Sequence, residues 1–200
     1  MFLKLTGRKC LVVGAGIVGE PKIRSLTDCG ADLTVIAPTA TTWVADASSA
    51  GQFAWIRRTF QSSDLDGMFL VVAATSSRMV NHRIYREAQQ RGLLCNVVDD
   101  PRHCDFFYPA VVRREHFQIA ISTGGLSPAL AQRIRKQLEA EFPPIYGQWL
   151  KELGHQRAAL FDQVDDAELR RCRIHLAASR EAFAEFEKKF EQHGMGKDLL

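Results

Sequence analysis

Short apolar runs alternate with helix-length amphipathic stretches along the first half of the chain. Runs at Lys9–Val13, Leu33–Ala37, Ala54–Arg57, Met68–Ala73 and Leu94–Val98 predict strands. Between them, Val18–Cys29, Thr41–Ala50 and Asn81–Gly92 carry helical spacing. Strands separated by helices pair in parallel, and helices then cover both faces of the sheet. Phe69–Ala74 is apolar at every position, as a strand buried on both faces requires.

After Pro109 the pattern changes. Ala110–Ser122 reads as a hairpin of two strands around a charged turn, Arg113–His116. Thr123-Gly124-Gly125-Leu126-Ser127-Pro128 follows, with Ser127 placed as an N-cap and Pro128 as a first helical residue. The next helix carries Leu130, Ile134 and Leu138 on one stripe and stops before Pro143-Pro144. Residues 145–200 read as all-helical. There Leu169, Cys172, Leu176, Phe183, Phe186 and Phe190 form a heptad seam with Ser179 at its polar position. That seam serves as a core-facing stripe or as a subunit contact. The expected division is 1–109, 110–144 (hairpin plus helix, a dimerisation segment) and 145–200.

The first strand runs into Gly14-Ala15-Gly16-Ile17-Val18-Gly19. In a strand–turn–helix context this G-x-G-x-x-G spacing has a physical meaning. The first glycine makes the tight turn, the second admits a pyrophosphate, and the third lets helix and strand pack closely with helix N–H groups facing the anion. The fold class is therefore α/β: a Rossmann-type parallel sheet, a small α+β dimerisation segment and a helical C-terminal domain. A carboxylate that would bond the adenosine ribose is missing at the end of the second strand, where Pro38-Thr39 stand. Backbone groups or the hydroxyls of Thr39, Thr41 and Thr42 are left to hold it. With no cation at 38–42 to meet a 2′-phosphate, the expected cofactor is NAD.

Thr75-Ser76-Ser77 end the fourth strand, at the carboxyl edge where open sheets bind ligands. Asn96-Val97-Val98-Asp99 end the fifth, which puts Asp99 beside the expected nicotinamide as a proton acceptor or, alternatively, as an acid capping a turn. Asp100, before Pro101, reads as the turn residue and points the other way. His103, Cys104 and Asp105 are metal-ligand types, but adjacent residues rarely converge on one ion and no second ligand pair stands at structural-site spacing, so no resident metal is expected. Thr123, Gly124, Gly125 and Ser127 form a hydroxyl-rich turn ahead of a helix, suited to a carboxylate or phosphate or simply a connection.

Composition narrows the classes. Of the 200 residues, 46% are hydrophobic and 24% charged, which supports a packed core. A net charge of +3 is too small to argue for nucleic acid. The N-terminus lacks a secretory pattern and no apolar run is long enough to span a bilayer, so no membrane association and a cytoplasmic location are expected. Five scattered cysteines without a C-x-x-C read as reduced, small hydrophobes.

Taken in order, the glycine loop, Ala73–Ser77, Asn96-Val97-Val98-Asp99, Asp105–Pro109 and Ser122–Pro128 resemble the siroheme synthase N-terminal family, precorrin-2 dehydrogenase with or without sirohydrochlorin ferrochelatase activity. The resemblance covers residues 1 to about 142, and the tail in character only. It implies NAD-dependent oxidation of precorrin-2 to sirohydrochlorin by a homodimer, with ferrous ion as a further substrate where chelation occurs. It further implies Asp99 as the catalytic group and cofactor contacts at Gly14, Gly16, Ile17, Val18, Gly19, Pro38, Thr39 and Thr75. For the tetrapyrrole it implies Thr123, Gly124, Gly125 and Ser127. The chain departs from the family's G-G-G-x-V-A followed by Arg-Lys at Gly19-Glu20-Pro21-Lys22. The competing class is a nucleotide-sensing Rossmann module that regulates a partner without catalysis.

Overall fold

Five parallel strands with connecting helices build the first half of the computed structural model, which describes residues 2–192. The strands are β1 (Lys9–Ala15), β2 (Asp32–Ala40), β3 (Ala54–Ile56), β4 (Leu70–Ala73) and β5 (Leu94–Val97), in the order β3-β2-β1-β4-β5. The order reverses direction at β1, which places the glycine loop at the crevice between two βα halves. Cys10 and Val12 of β1 face a core with Ile23, Leu26, Val35 and Val44, beneath α1 (Glu20–Asp28) and α2 (Thr42–Ser49). Leu11 and Val13 face the other side with Ile36, Val71, Ile84 and Cys95, beneath α3 (Arg78–Gln90). Both faces are thus covered, and burying each of these aliphatic side chains contributes roughly 1.5–3 kcal/mol. Burial pushes the Cys10 and Cys95 thiols up to about 11 and about 12, so they remain neutral core residues.

Several element boundaries differ from the sequence expectation, each for a local reason. β2 continues through Pro38 to Ala40, because a register shift after Val13 lets Ala15 pair with Ala40 beyond the glycine turn. α1 begins at Glu20 rather than Val18, since residues 16–19 are consumed by the loop and Pro21 occupies its first turn. α3 begins at Arg78 rather than Asn81, capped by the Ser77 hydroxyl, which accepts from Val80 N at 3.4 Å. Buried Asn81 lies inside that helix and bonds back to the preceding loop.

A second unit begins at Pro109. Strands β6 (Ala110–Arg114) and β7 (Phe117–Ile121) pair antiparallel, and Arg114 opposes Phe117 across a two-residue turn, Glu115-His116, tighter than the four-residue turn the sequence suggested. Glu115 adopts φ 55°, as the first position of a mirror-image hairpin turn demands. Helices α4 (Pro128–Glu141), α5 (Ile145–Gln163), α6 (Ala167–Ala177) and α7 (Arg180–Gln192) follow. Arg114 closes the C-terminal end of α4, with Nε donating to Phe142 O at 2.8 Å and Nη2 to Glu139 O at 3.0 Å. Phe117, Phe142, Tyr146, Trp149 and Phe183 then form a continuous aromatic cluster.

The heptad seam is not one stripe. α6 ends at Ala177, and the Ser179 hydroxyl accepts from Ala182 N at 3.2 Å to start α7, so the polar position marks a helix break. Leu176 on α6 is 70% exposed, whereas Phe183 on α7 stacks on Tyr146. Residues 193–200 of the expected helical tail lie outside the described residues.

Candidate active site

The carboxyl ends of β1, β2, β4 and β5 enclose a cleft of about 700 Å³. Gly14, Gly16, Ile17, Val18, Pro38, Thr39, Thr75 and Asp99 all line it, so eight of the sequence-selected residues meet in one place. Gly14 sits at φ +105°, and a Cβ there would collide with the Ala74 carbonyl. Gly19 does not line the cleft but is equally constrained, because a Cβ would run into the Gly14 carbonyl. Together they bring the β1 turn onto the start of α1 at backbone contact distance. Gly16 is the reverse case: it is exposed, and a Cβ would meet nothing within 4 Å. A diphosphate could approach the backbone on that open side at the helix N-terminus, so the residues present fit a dinucleotide. Ile17 and Val18, 86% and 50% exposed, offer the cleft mouth an apolar rim.

The hydroxyl groups divide sharply by prior commitment. Thr41 Oγ1 donates to Glu20 Oε2 at 2.6 Å and accepts from Val44 N as the α2 cap, so it serves the fold, not a ribose. Thr75 Oγ1 bonds Asn81 Oδ1 at 2.6 Å, while Asn81 Nδ2 donates to Thr75 O at 3.0 Å. That buried amide clamps the loop after β4 into shape. Thr39 stands exposed in the cleft wall.

Cations do reach the cleft, contrary to the view from residues 38–42 alone. Arg58, Arg78 and Arg83 contribute to its wall from the chain after β3 and from α3. Arg58 is held by Asp64 at 2.6 and 2.8 Å, which keeps the Asp64 carboxyl below its ordinary range. Arg83 is paired with Glu87 at 2.7 Å. Two of the three positive charges are therefore already balanced by carboxylates. A sequence reading confined to the end of β2 could not see them, because β3 lies beside β2 only through sheet pairing.

Asp99 occupies a left-handed backbone conformation, φ 62°, two residues past the end of β5. The Val98 N–H reaches back to Ala73 O at 3.0 Å, and Asp100 N to Val97 O at 3.2 Å, so the turn is pinned on both sides of Asp99. Asn96 beneath it is buried and donates to Phe106 O at 2.8 Å. Asp99 consequently lines the cleft, whereas Asp100 turns to α3 and accepts from His82 Nε2 and His103 Nδ1, both at 2.8 Å. Cys104 and Asp105 go elsewhere: the thiol bonds the carbonyls of Val97 and Asp100, and Asp105 receives Cys95 N at 2.9 Å.

Lys22 is a residue that motif spacing did not select for the site. Its ammonium lies over the Tyr108 ring at 4.1 Å. Burial holds its pKa below the ordinary lysine value, and the nearby Asp99 carboxylate opposes that effect. The Tyr108 hydroxyl is buried without a hydrogen-bond partner among the described residues.

In the second unit, Ser127 caps α4 by accepting from Leu130 N at 3.3 Å, and Thr123 Oγ1 accepts from Ser127 N at 3.2 Å. Gly124 and Gly125 take φ 60° and 81°. These four residues form one turn, with two hydroxyls engaged in holding it.

Comparison with known proteins agrees with this arrangement. Residues 1–110 match the family model described as "Putative NAD(P)-binding", and residues 114–141 match "Sirohaem biosynthesis protein central". A siroheme synthase of Photorhabdus laumondii is 36% identical over 100% of this chain and 44% of its own length. Siroheme synthase 3 of Aeromonas hydrophila is 41% identical over 74% of this chain and 31% of its own. The chain thus spans less than half the length of these relatives. A solved structure, the precorrin-2 dehydrogenase SirC, superposes with a TM-score of 0.77 at 26% identity, covering 96% of this chain and 98% of that one. With a putative NAD(P)-binding segment followed by a sirohaem central segment on this framework, the chain belongs to the siroheme synthase N-terminal family.

Proposed function

We propose that the chain oxidises precorrin-2 to sirohydrochlorin with NAD. The observation that carries this reading is Asp99, held in a left-handed turn so that its carboxylate lines the cleft of the glycine loop. NAD, when bound, supplies the hydride acceptor. Gly14, Gly16 and Gly19 form the cradle for its diphosphate, and Ile17, Val18, Pro38 and Thr39 form its walls. Oxidation of the macrocycle removes a hydride and a proton, and Asp99 accepts the proton. Lys22 keeps positive charge near that carboxylate before the proton arrives. Likeness to SirC along nearly the whole of both chains supports the same assignment.

The remaining parts of the reading concern partners. Thr123, Gly124, Gly125 and Ser127 hold the acidic arms of the tetrapyrrole at the N-terminus of α4. A second copy of the chain covers exposed Leu169 and Leu176 on α6, giving a homodimer. Ferrous ion, where inserted, is a substrate of the same cleft, with Asp99 taking the displaced pyrrole protons. Among the described residues no helix is long and apolar enough to cross a membrane.

Anaerobic mixing of the chain with precorrin-2 and NAD tests the reading: the absorbance of reduced nicotinamide should rise in step with sirohydrochlorin. Nucleotide binding without any turnover would favour a sensing module instead. Repeating the assay with ferrous ion separates chelation from dehydrogenation, and light scattering at micromolar protein reports the dimer.

A further inference from the structure

Behind the turn that aims Asp99 into the cleft, two imidazoles converge on a single carboxylate oxygen. His82, from α3, presents Nε2 to Asp100 Oδ2 at 2.8 Å, and His103, from the short 3₁₀ turn Pro101–His103, presents Nδ1 to the same oxygen at 2.8 Å. An aspartate preceding such a turn ordinarily bonds the backbone N–H groups that follow, but the Asp100 side chain makes no capping bond. The two rings lie with centroids 4.5 Å apart, and the edge of Tyr85 meets the His103 ring at 4.8 Å, which fixes its orientation.

We infer that His82, Asp100 and His103 form an exchangeable site for a divalent transition-metal cation, separate from the dinucleotide cleft. One ligand atom from each residue lies within 4.8 Å of the other two. An ion bound at roughly 2.1 Å to nitrogen and oxygen needs ligand atoms about 3.0–3.4 Å apart, so only a slight outward movement opens room for it. Two imidazoles and one carboxylate suit zinc, cobalt, nickel or ferrous ion, and disfavour magnesium and calcium, which take oxygen ligands. The side chains are 45%, 28% and 32% exposed, so an ion can enter and leave, and its remaining coordination positions face water. Three ligands on an open surface give a loading and unloading site, unlike the closed four-ligand set of a structural zinc.

The position gives the site a consequence. Asp100 follows Asp99 directly, and Cys104 Sγ ties the Asp100 carbonyl at 3.2 Å. A cation bridging α3 to this turn joins the two elements through coordination bonds, which stiffens the segment that presents Asp99.

The test uses the full chain without an affinity tag, stripped with chelator and titrated with Co²⁺ by visible absorption and with Zn²⁺ by calorimetry. One saturable ion per chain in the micromolar range is expected, without a thiolate-to-cobalt charge-transfer band. His82→Ala and Asp100→Asn should each weaken binding at least about tenfold, while NAD affinity stays as in the native chain. If His82→Ala unfolds, His82→Gln at the same surface position replaces it, with circular dichroism as the fold check. Unchanged affinity in a folded His82 variant, a thiolate band assigning the ion to Cys104 or Cys172, or no saturable binding up to millimolar metal would each overturn the inference.

Discussion

Two glycine-bearing turns precede helices in this chain, and they differ in what their glycines are for. At 14–19 two of the three glycines answer to packing: side chains at Gly14 and Gly19 would strike the Ala74 and Gly14 carbonyls. In the second turn Gly124 answers only to backbone conformation, since it has φ 60° and nothing within 4 Å of a would-be Cβ. The first turn is crowded at both ends by strands whose positions are fixed by the sheet, so its shape is imposed from outside. The second is held by its own hydroxyls, Thr123 and Ser127, in bonds spanning at most four residues. Similar motifs therefore carry different information. A crowded glycine marks a place where backbone must meet backbone, whereas an open one marks only a bend.

The largest effect that separates the two regions should come from Asp99. Asp99→Asn keeps a residue that tolerates the left-handed conformation, so turnover should fall by about 10²–10⁴-fold with an almost unchanged melting temperature. Alanine there would confuse the result by adding backbone strain. Near-native turnover in Asp99→Asn would move the proton acceptor elsewhere.

Next in size is Gly19→Ala. The collision with the Gly14 carbonyl must be relieved by separating α1 from β1, so NAD affinity should drop more than tenfold in calorimetry and stability should fall by about 2–4 kcal/mol in urea. A variant that binds NAD normally would show that the cradle is softer than its packing indicates. The matching change in the open turn, Gly124→Ala, should cost only about 1–2 kcal/mol, the conformational penalty alone. If both substitutions cost the same, the distinction between crowded and open glycines fails.

Ser127→Ala tests the second turn through its cap and should remove about 1 kcal/mol, read as a lower midpoint for unfolding of the second unit. A precorrin-2 KM that rises without that loss of stability would mark Ser127 as a ligand contact as well.

The smallest effect is a pH dependence at the edge of the cleft. Arg58 depresses the Asp64 pKa in the folded chain, so the pair stabilises the fold fully above the unfolded value of 3.8. That contribution is lost as pH falls through the lower, folded value. Asp64→Asn should therefore flatten the acid limb of the stability curve below about pH 4. It should also free Arg58 and raise NADP affinity relative to NAD. An unaltered acid limb would mean that the pair is too solvent-screened to count.

Much of the architecture was readable along the chain because it rests on short-range rules. Apolar runs separated by helical periods announced five parallel strands, and the glycine spacing placed the turn between β1 and α1 to within two residues. Asp99 was legible for the same reason, as the residue that follows an apolar strand. The seam from Leu169 to Phe190 was misleading, because heptad spacing persists across a helix break that Ser179 introduces. Arg58 and His82 were missed because neither stands near its partner site in sequence. Arg58 reaches the cleft because β3 pairs with β2, and His82 meets Asp100 because α3 packs against β5.

The sequence by itself determined which segments become strands and helices, where the chain turns, and which glycine loop can face a diphosphate. These follow from periodicity and backbone sterics within a few residues. Tertiary structure alone decided which side chains share a space: that Thr41 is spent on Glu20 and Thr75 on Asn81, and that Lys22 senses Asp99. It likewise decided that Asp99 and Asp100 serve opposite sides of one turn. Such pairings depend on how far strands slide in register and how closely helices dock. Those distances are set by the packing of many side chains at once rather than by any residue's neighbours in the chain.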